Sequence, residues 1–149
     1  MKTRRFLVVV LLLFVSAAPV WADDLAAFVD PLKTRAAQGE AKAQTILGLM
    51  YYEGRGVPQD NAEALKWYRL AAAQGDALAQ YHPGLMYAKG YGVPQDHIEA
   101  HKWFNLAAAS STSKPNRDRA VEARDKLVAR MTPTQIAEAQ KLAREWKKQ

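Results

Sequence analysis

Apolar residues are laid out along the chain in two different ways. Residues 6–15 form an unbroken apolar run, whereas beyond residue 24 apolar positions recur every three or four residues, the spacing that gathers them on one side of an α-helix. Ala43, Leu47, Met50 and Tyr51 make one such stripe. It ends at Gly54-Arg55-Gly56-Val57-Pro58, because glycine accepts positive φ and proline bars continuation. A second helix opens at Asp60, whose carboxylate can accept from exposed amides, with Glu63 three residues on completing a capping-box-like pair. Ala64, Trp67, Tyr68 and Ala71 then face the first helix, and the bare backbone of Gly48 lets the two helices approach closely.

The plan returns at a fixed offset. Residues 39–74 and 75–110 align without a gap and share 22 of 36 positions, among them GLMY, GxGVPQD and EAxKWxxLAAA. Such periodicity predicts stacked helix pairs, an all-α solenoid. Ala36-Ala37-Gln38-Gly39 repeats the ending Ala72-Ala73-Gln74-Gly75, so residues 24–38 read as the second half of a degenerate earlier unit. A short polar linker covers residues 110–115, and a charged amphipathic helix starts at Asn116 or Arg117 and runs to about Arg130. Thr132-Pro133-Thr134-Gln135 opens a last helix carrying Ile136, Ala139, Leu142, Ala143 and Trp146; it suits the polar-backed terminal element that a solenoid needs. The expected organisation is a leader (1–22), an N-terminal capping helix (23–38), two repeats (39–74 and 75–110) and a C-terminal helical pair acting as a cap (111–149).

One position breaks the pattern. Pro83 stands where the first repeat has Leu47. A mid-helix proline loses its hydrogen bond to the carbonyl four residues back, here that of Ala79, at a cost of roughly 3 kcal/mol. A kink or break is therefore expected between Gln80 and Pro83, with distortion of the second repeat.

The early apolar run reads as an address. Lys2, Arg4 and Arg5 precede it, and Val20-Trp21-Ala22 offers small residues at the two positions that signal peptidase reads, so cleavage is expected after Ala22. The run is about half the roughly 20 apolar residues of a membrane span. The mature protein is thus expected in the periplasm or secreted, with no transmembrane segment. The leader carries part of the chain's net charge of +6; without it 18 positive side chains face 15 negative ones. Residues 23–110 sum to −2 and residues 111–149 to +5, which places the basicity in the tail. Nucleic acid is not an expected partner, because no clustered basic face with base-reading groups accompanies the charge. The chain has no cysteine, which excludes disulfide scaffolds, thiolate zinc sites and thiol catalysis.

Candidate chemistry is sparse. His97 and His101 share a helical face, but zinc wants three or four ligands, and the pair reads as exposed helix surface. Asp60 and Asp96 are explained by capping rather than acid–base work. Trp67, Trp103, Tyr68 and Phe104 read as core packing rather than sugar stacking. Neither a nucleophile elbow, nor a Walker loop, nor a dinucleotide fingerprint is present. No catalytic residue, metal or cofactor is assigned, and the chain is not expected to be an enzyme.

The motif AQxxLGxMYxxGxGVPQDxxEAxKWxxxAAA resembles the SEL-one-like repeat family, relatives of tetratricopeptide repeats. The resemblance is strong over residues 36–110 and looser in the flanking helices. It implies a right-handed α-solenoid of antiparallel helix pairs and a role as adaptor or scaffold in a bacterial envelope. The missing cysteines set the chain apart from a Cys-rich branch linked to β-lactam chemistry. In related solenoids the first helix of each unit lines the concave face. Carried over, this puts Lys42, Thr45, Leu49, Tyr52, Leu78, Tyr81, Leu85 and Lys89 in a groove for a protein or peptide partner of a monomeric protein. The alternatives are an envelope hydrolase and a structural subunit that docks through its basic C-terminal helices.

Overall fold

A computed structural model describes residues 20–146. Among them it shows seven helices and no strand: α1 (Val20–Ala37), α2 (Ala41–Glu53), α3 (Asn61–Ala73), α4 (Ala77–Lys89), α5 (His97–Ser110), α6 (Lys114–Val128) and α7 (Pro133–Glu145). The expected leader lies, except for Val20–Ala22, outside the described residues.

Each repeat is a helix hairpin, α2 with α3 and α4 with α5, and successive hairpins stack through α1 on α2, α3 on α4 and α5 on α6. The hairpin turns follow from their letters. Gly54 and Gly90 end α2 and α4 in the left-handed region, at φ 68° and 72°. Gln59 then donates to the Tyr52 carbonyl and Gln95 to that of Ala88, at 2.9 and 2.8 Å. Asp60 accepts from the Glu63 amide, and Asp96 from the Ile98 and Glu99 amides. The reciprocal half of the expected capping box is missing. Glu63 and Glu99 pair instead with Lys66 and Lys102, at 3.3 and 2.6 Å. Among the described residues the full box forms only at α7, between Thr132 and Gln135.

Neighbouring units are tied by buried glutamines. Gln44 donates to the Ala36 carbonyl at 3.1 Å and Gln80 to that of Ala72 at 3.3 Å, so each satisfies an acceptor at the end of the preceding helix. Two apolar clusters sit between the layers. Val29 and Leu32 of α1 meet Leu47 and Met50 of α2 in one. Tyr68, Met86, Trp103, Phe104 and Leu127 anchor the other. Tyr68 and Trp103 are closed off from solvent; Trp67 is only half-buried, against the first cluster, with the Lys66 ammonium 5.5 Å from its ring centre. A Cβ at Gly48 would lie 2.8 Å from the Tyr68 ring, so the hairpin closes to a separation that any side chain there would prevent.

Helix α4 runs unbroken through Pro83, which corrects the expected break. Pro83 is fully buried, and the helix is held at both ends, by the Asp76 cap on the Ala79 amide and by Gly90. Packing along its whole length outweighs the local preference. The proline therefore remains a cost inside a continuous helix, and Leu47 at the equivalent place is itself fully buried. Pro83→Leu is expected to raise stability by about 1–2 kcal/mol: roughly 3 kcal/mol of intrinsic preference less the repacking of a larger side chain. A urea midpoint that falls or stays put, at constant m-value, would refute this.

The tail departs from the repeat. α6 begins at Lys114, with Pro115 in its first turn, and packs on α5 as α4 packs on α3. α7 folds back onto α5, where Trp146 meets Trp103 edge-on with ring centres 4.9 Å apart.

Candidate functional site

The first helices of the hairpins and α6 stand side by side, but α4 and α6 touch only lightly. Between them lies an open cleft of about 700 Å³. From α4 come Tyr81, Leu85, Ala88 and Lys89, a row at helical spacing, while the Phe104 ring of α5 closes the floor. From α6 come Arg119, Glu122, Ala123, Lys126 and Leu127, and from the turn just after it Arg130. Their spacing of three, four and seven residues places them on one face, with Ala123 and Leu127 toward the floor and charged groups along the rim.

The cleft is mostly cationic. Lys126 donates to Glu122 at 2.6 Å, and this contact draws the Glu122 carboxyl below its ordinary range and lifts the Lys126 ammonium above its own. Tyr81 stands 5.4 Å from the Phe104 ring, and partial burial raises its hydroxyl pKa. Lys89 lies 5.5 Å from the centre of the Tyr91 ring. The arrangement can hold an anionic chain with an apolar side chain; it has no nucleophile–base pair to act on one.

Of the eight groove residues read from the sequence, three meet here: Tyr81, Leu85 and Lys89. Leu78, 45% exposed, borders a small dimple beside Tyr81, toward the start of α6. Tyr52 lines a separate cleft of about 490 Å³ with Tyr91, Arg55 and Gln59, on the turn side of the first hairpin. Leu49 is half-buried against the core and lines neither cleft, and the Thr45 hydroxyl donates back to the Ala41 carbonyl. Lys42 is exposed at the start of α2, away from both clefts. None of the α6 wall is among those eight residues; the basic C-terminal helices entered only as an alternative docking surface. Its signal was present, in the net charge of +5 over residues 111–149 and the small and apolar residues at 120, 123 and 127.

The histidine pair also needs correction. His101 is 2% exposed, its Nδ1 3.4 Å from the Asn105 amide nitrogen, and Arg124 in turn donates to Asn105. Burial, reinforced by the Arg124 charge and opposed by Asp125, lowers its pKa. His97 is half-buried at the start of α5. Among the described residues no group of three or more His, Asp or Glu side chains converges to hold a metal ion.

A family model described as Sel1 repeat matches residues 41–76 and 77–111. Among solved structures, the chain is similar to a protective antigen of uropathogenic Escherichia coli displaying an SLR fold, with 28% identity and a TM-score of 0.73 over 87% of this chain. It is also similar to a Sel1 repeat protein from Oxalobacter formigenes, with 41% identity and a TM-score of 0.56 over 58% of this chain. The chain spans 30% of the antigen's length and 66% of the Oxalobacter protein's. No curated protein sequence matches it.

Proposed function

Because this chain is a Sel1-repeat protein, a class that generally mediates protein–protein interaction as scaffolds, we propose that it is an exported, monomeric adaptor of the cell envelope. In this reading it presents the α4–α6 cleft to a protein or peptide partner. The observation that carries the reading is the cleft itself, an apolar floor of Leu85, Ala123 and Leu127 under a charged rim, the composition of a small recognition surface. The repeat's shared letters are occupied elsewhere, in caps, turns and inter-unit hydrogen bonds. No chemistry is needed of them, and the protein acts by binding rather than catalysis. Export rests on the leader, and no described helix is long and apolar enough to cross a membrane.

A benzophenone amino acid placed at Lys89 or at Arg119 tests the reading without removing core packing. Irradiation of cells producing these variants is expected to give protein adducts, and the recovered envelope protein is expected to begin at Asp23. Adducts only from the same probe at Gln140, on exposed α7, would move the interface to the C-terminal helix and refute the cleft.

A further inference from the structure

We propose that the α4–α6 cleft selects an acidic segment, one that sets an apolar side chain on the cleft floor between carboxylates bound at either end. This inference rests on the adaptor reading and adds the partner's chemistry. Four cations border the cleft, Lys89 from α4, Arg119 and Lys126 from α6 and Arg130 from the turn after it, against the single carboxylate of Glu122. That carboxylate is already engaged by Lys126. Among the described residues Lys89, Arg119 and Arg130 make no ion pair, so three positive charges of the rim have no protein counter-charge.

Geometry sets the length of what would bind. Arg119 lies on α6 and Arg130 in the turn just past its end, and the stretch of helix from Arg119 to Val128 alone accounts for about 14 Å of their separation at 1.5 Å per residue. An extended segment of about five residues spans that distance. Carboxylates near its two ends meet the arginines, whose planar forks suit bidentate carboxylate contacts. A central side chain falls over Leu85, Ala123 and Leu127. The cleft on the other side of the fold, of about 490 Å³ between α3, α5 and Trp146, differs in this respect. There Lys102 is neutralised by Glu99 at 2.6 Å, Lys66 by Glu63, and Arg69 donates to the Tyr87 hydroxyl. Among the described residues that cleft keeps one cation without an ion pair, Arg69, whereas the α4–α6 cleft keeps three.

The test uses the purified chain and fluorescein-labelled peptides of about ten residues, alternating Glu with Leu, Lys with Leu, or Glu with Ser. The Glu/Leu peptide is expected to bind more tightly than either of the others, and its affinity to fall about tenfold between low and moderate salt, as exposed charges are screened. Arg119→Glu with Arg130→Glu is expected to abolish binding. Lys33→Glu with Lys141→Glu changes net charge equally, on exposed faces of α1 and α7, and is expected to leave binding within twofold. Equal binding of the Lys/Leu peptide, or equal weakening by the control pair, overturns the proposal. So does binding of phosphatidylglycerol vesicles by a protein that ignores the Glu/Leu peptide. Failure of the acidic peptide while adducts persist from Lys89 and Arg119 rejects the acidic preference and spares the adaptor reading; loss of those adducts rejects both.

Discussion

Phe104→Ala is expected to cost about 3–5 kcal/mol, a large part of the roughly 5–15 kcal/mol that holds a domain together. Phe104 is 1% exposed and sits where the second hairpin closes. A Cβ built on Gly84 would lie 2.6 Å from two of its ring atoms. The ring therefore occupies the space that the glycine's missing side chain leaves, and the surrounding helices cannot close over its loss without bending. Tyr81 stands against the same ring, so the cleft floor would loosen along with the core. Urea denaturation gives the loss as a midpoint shift at constant m-value. The pairing has its own signature. Gly84→Ala alone is expected to destabilise, because ring overlap exceeds the roughly 1 kcal/mol of helix preference gained. In the Phe104→Ala background the new methyl enters vacated space, and the same substitution is expected to stabilise by about 1 kcal/mol. A loss from Phe104→Ala below about 1 kcal/mol, or an unchanged sign for Gly84→Ala between the two backgrounds, contradicts the interlocking.

That interlock was legible before the structure, because Gly48 with Tyr68 and Gly84 with Phe104 recur at one offset. The aspartate caps and the glycine turns were legible for the same reason: each depends on residues within a few positions. Where side chains compete locally, sequence is a weaker guide. Glu63 and Glu99 each had a lysine three residues on as well as a free amide behind, and the lysine won. The pair His97 and His101 reads as exposed surface, yet Leu65 at the place equivalent to His101 is 4% exposed; repeat position is the better guide than residue type. Local preference predicts a break at Pro83, whereas its burial and a cap at each end keep α4 a single helix through it. The α6 wall was the hardest to see. It lies off the 36-residue period, so no equivalent helix announced which of its faces would turn toward α4.

The second large effect is a pH dependence centred on His82, which faces the first repeat from α4. Its ring stacks on Tyr68 at 4.6 Å and 3° and stands 6.0 Å from both Tyr52 and Tyr81. The Nδ1 atom is enclosed with no hydrogen-bond partner among the described residues. Such a site disfavours the imidazolium, and burial lowers the pKa from the ordinary 6.5 to about 4, against a weaker opposing pull from Asp76. Between those two values the unfolded chain binds a proton at His82 that the folded chain refuses. Stability therefore falls as the pH drops from about 6.5 toward 4 and is flat in this group above that window, by roughly 3 kcal/mol across it. His101, also lowered by burial, adds a contribution of the same sign. Ile46 holds the equivalent place in the first repeat, so His82→Ile is a compatible replacement. The variant is expected to keep most of its pH 7 stability at pH 4.5, while the parent's urea midpoint drops steeply. Parallel pH profiles for the two proteins would mean that His82 is protonated as readily in the folded chain as in the unfolded one, and that the aromatic stack between the repeats leaves the imidazole open to water.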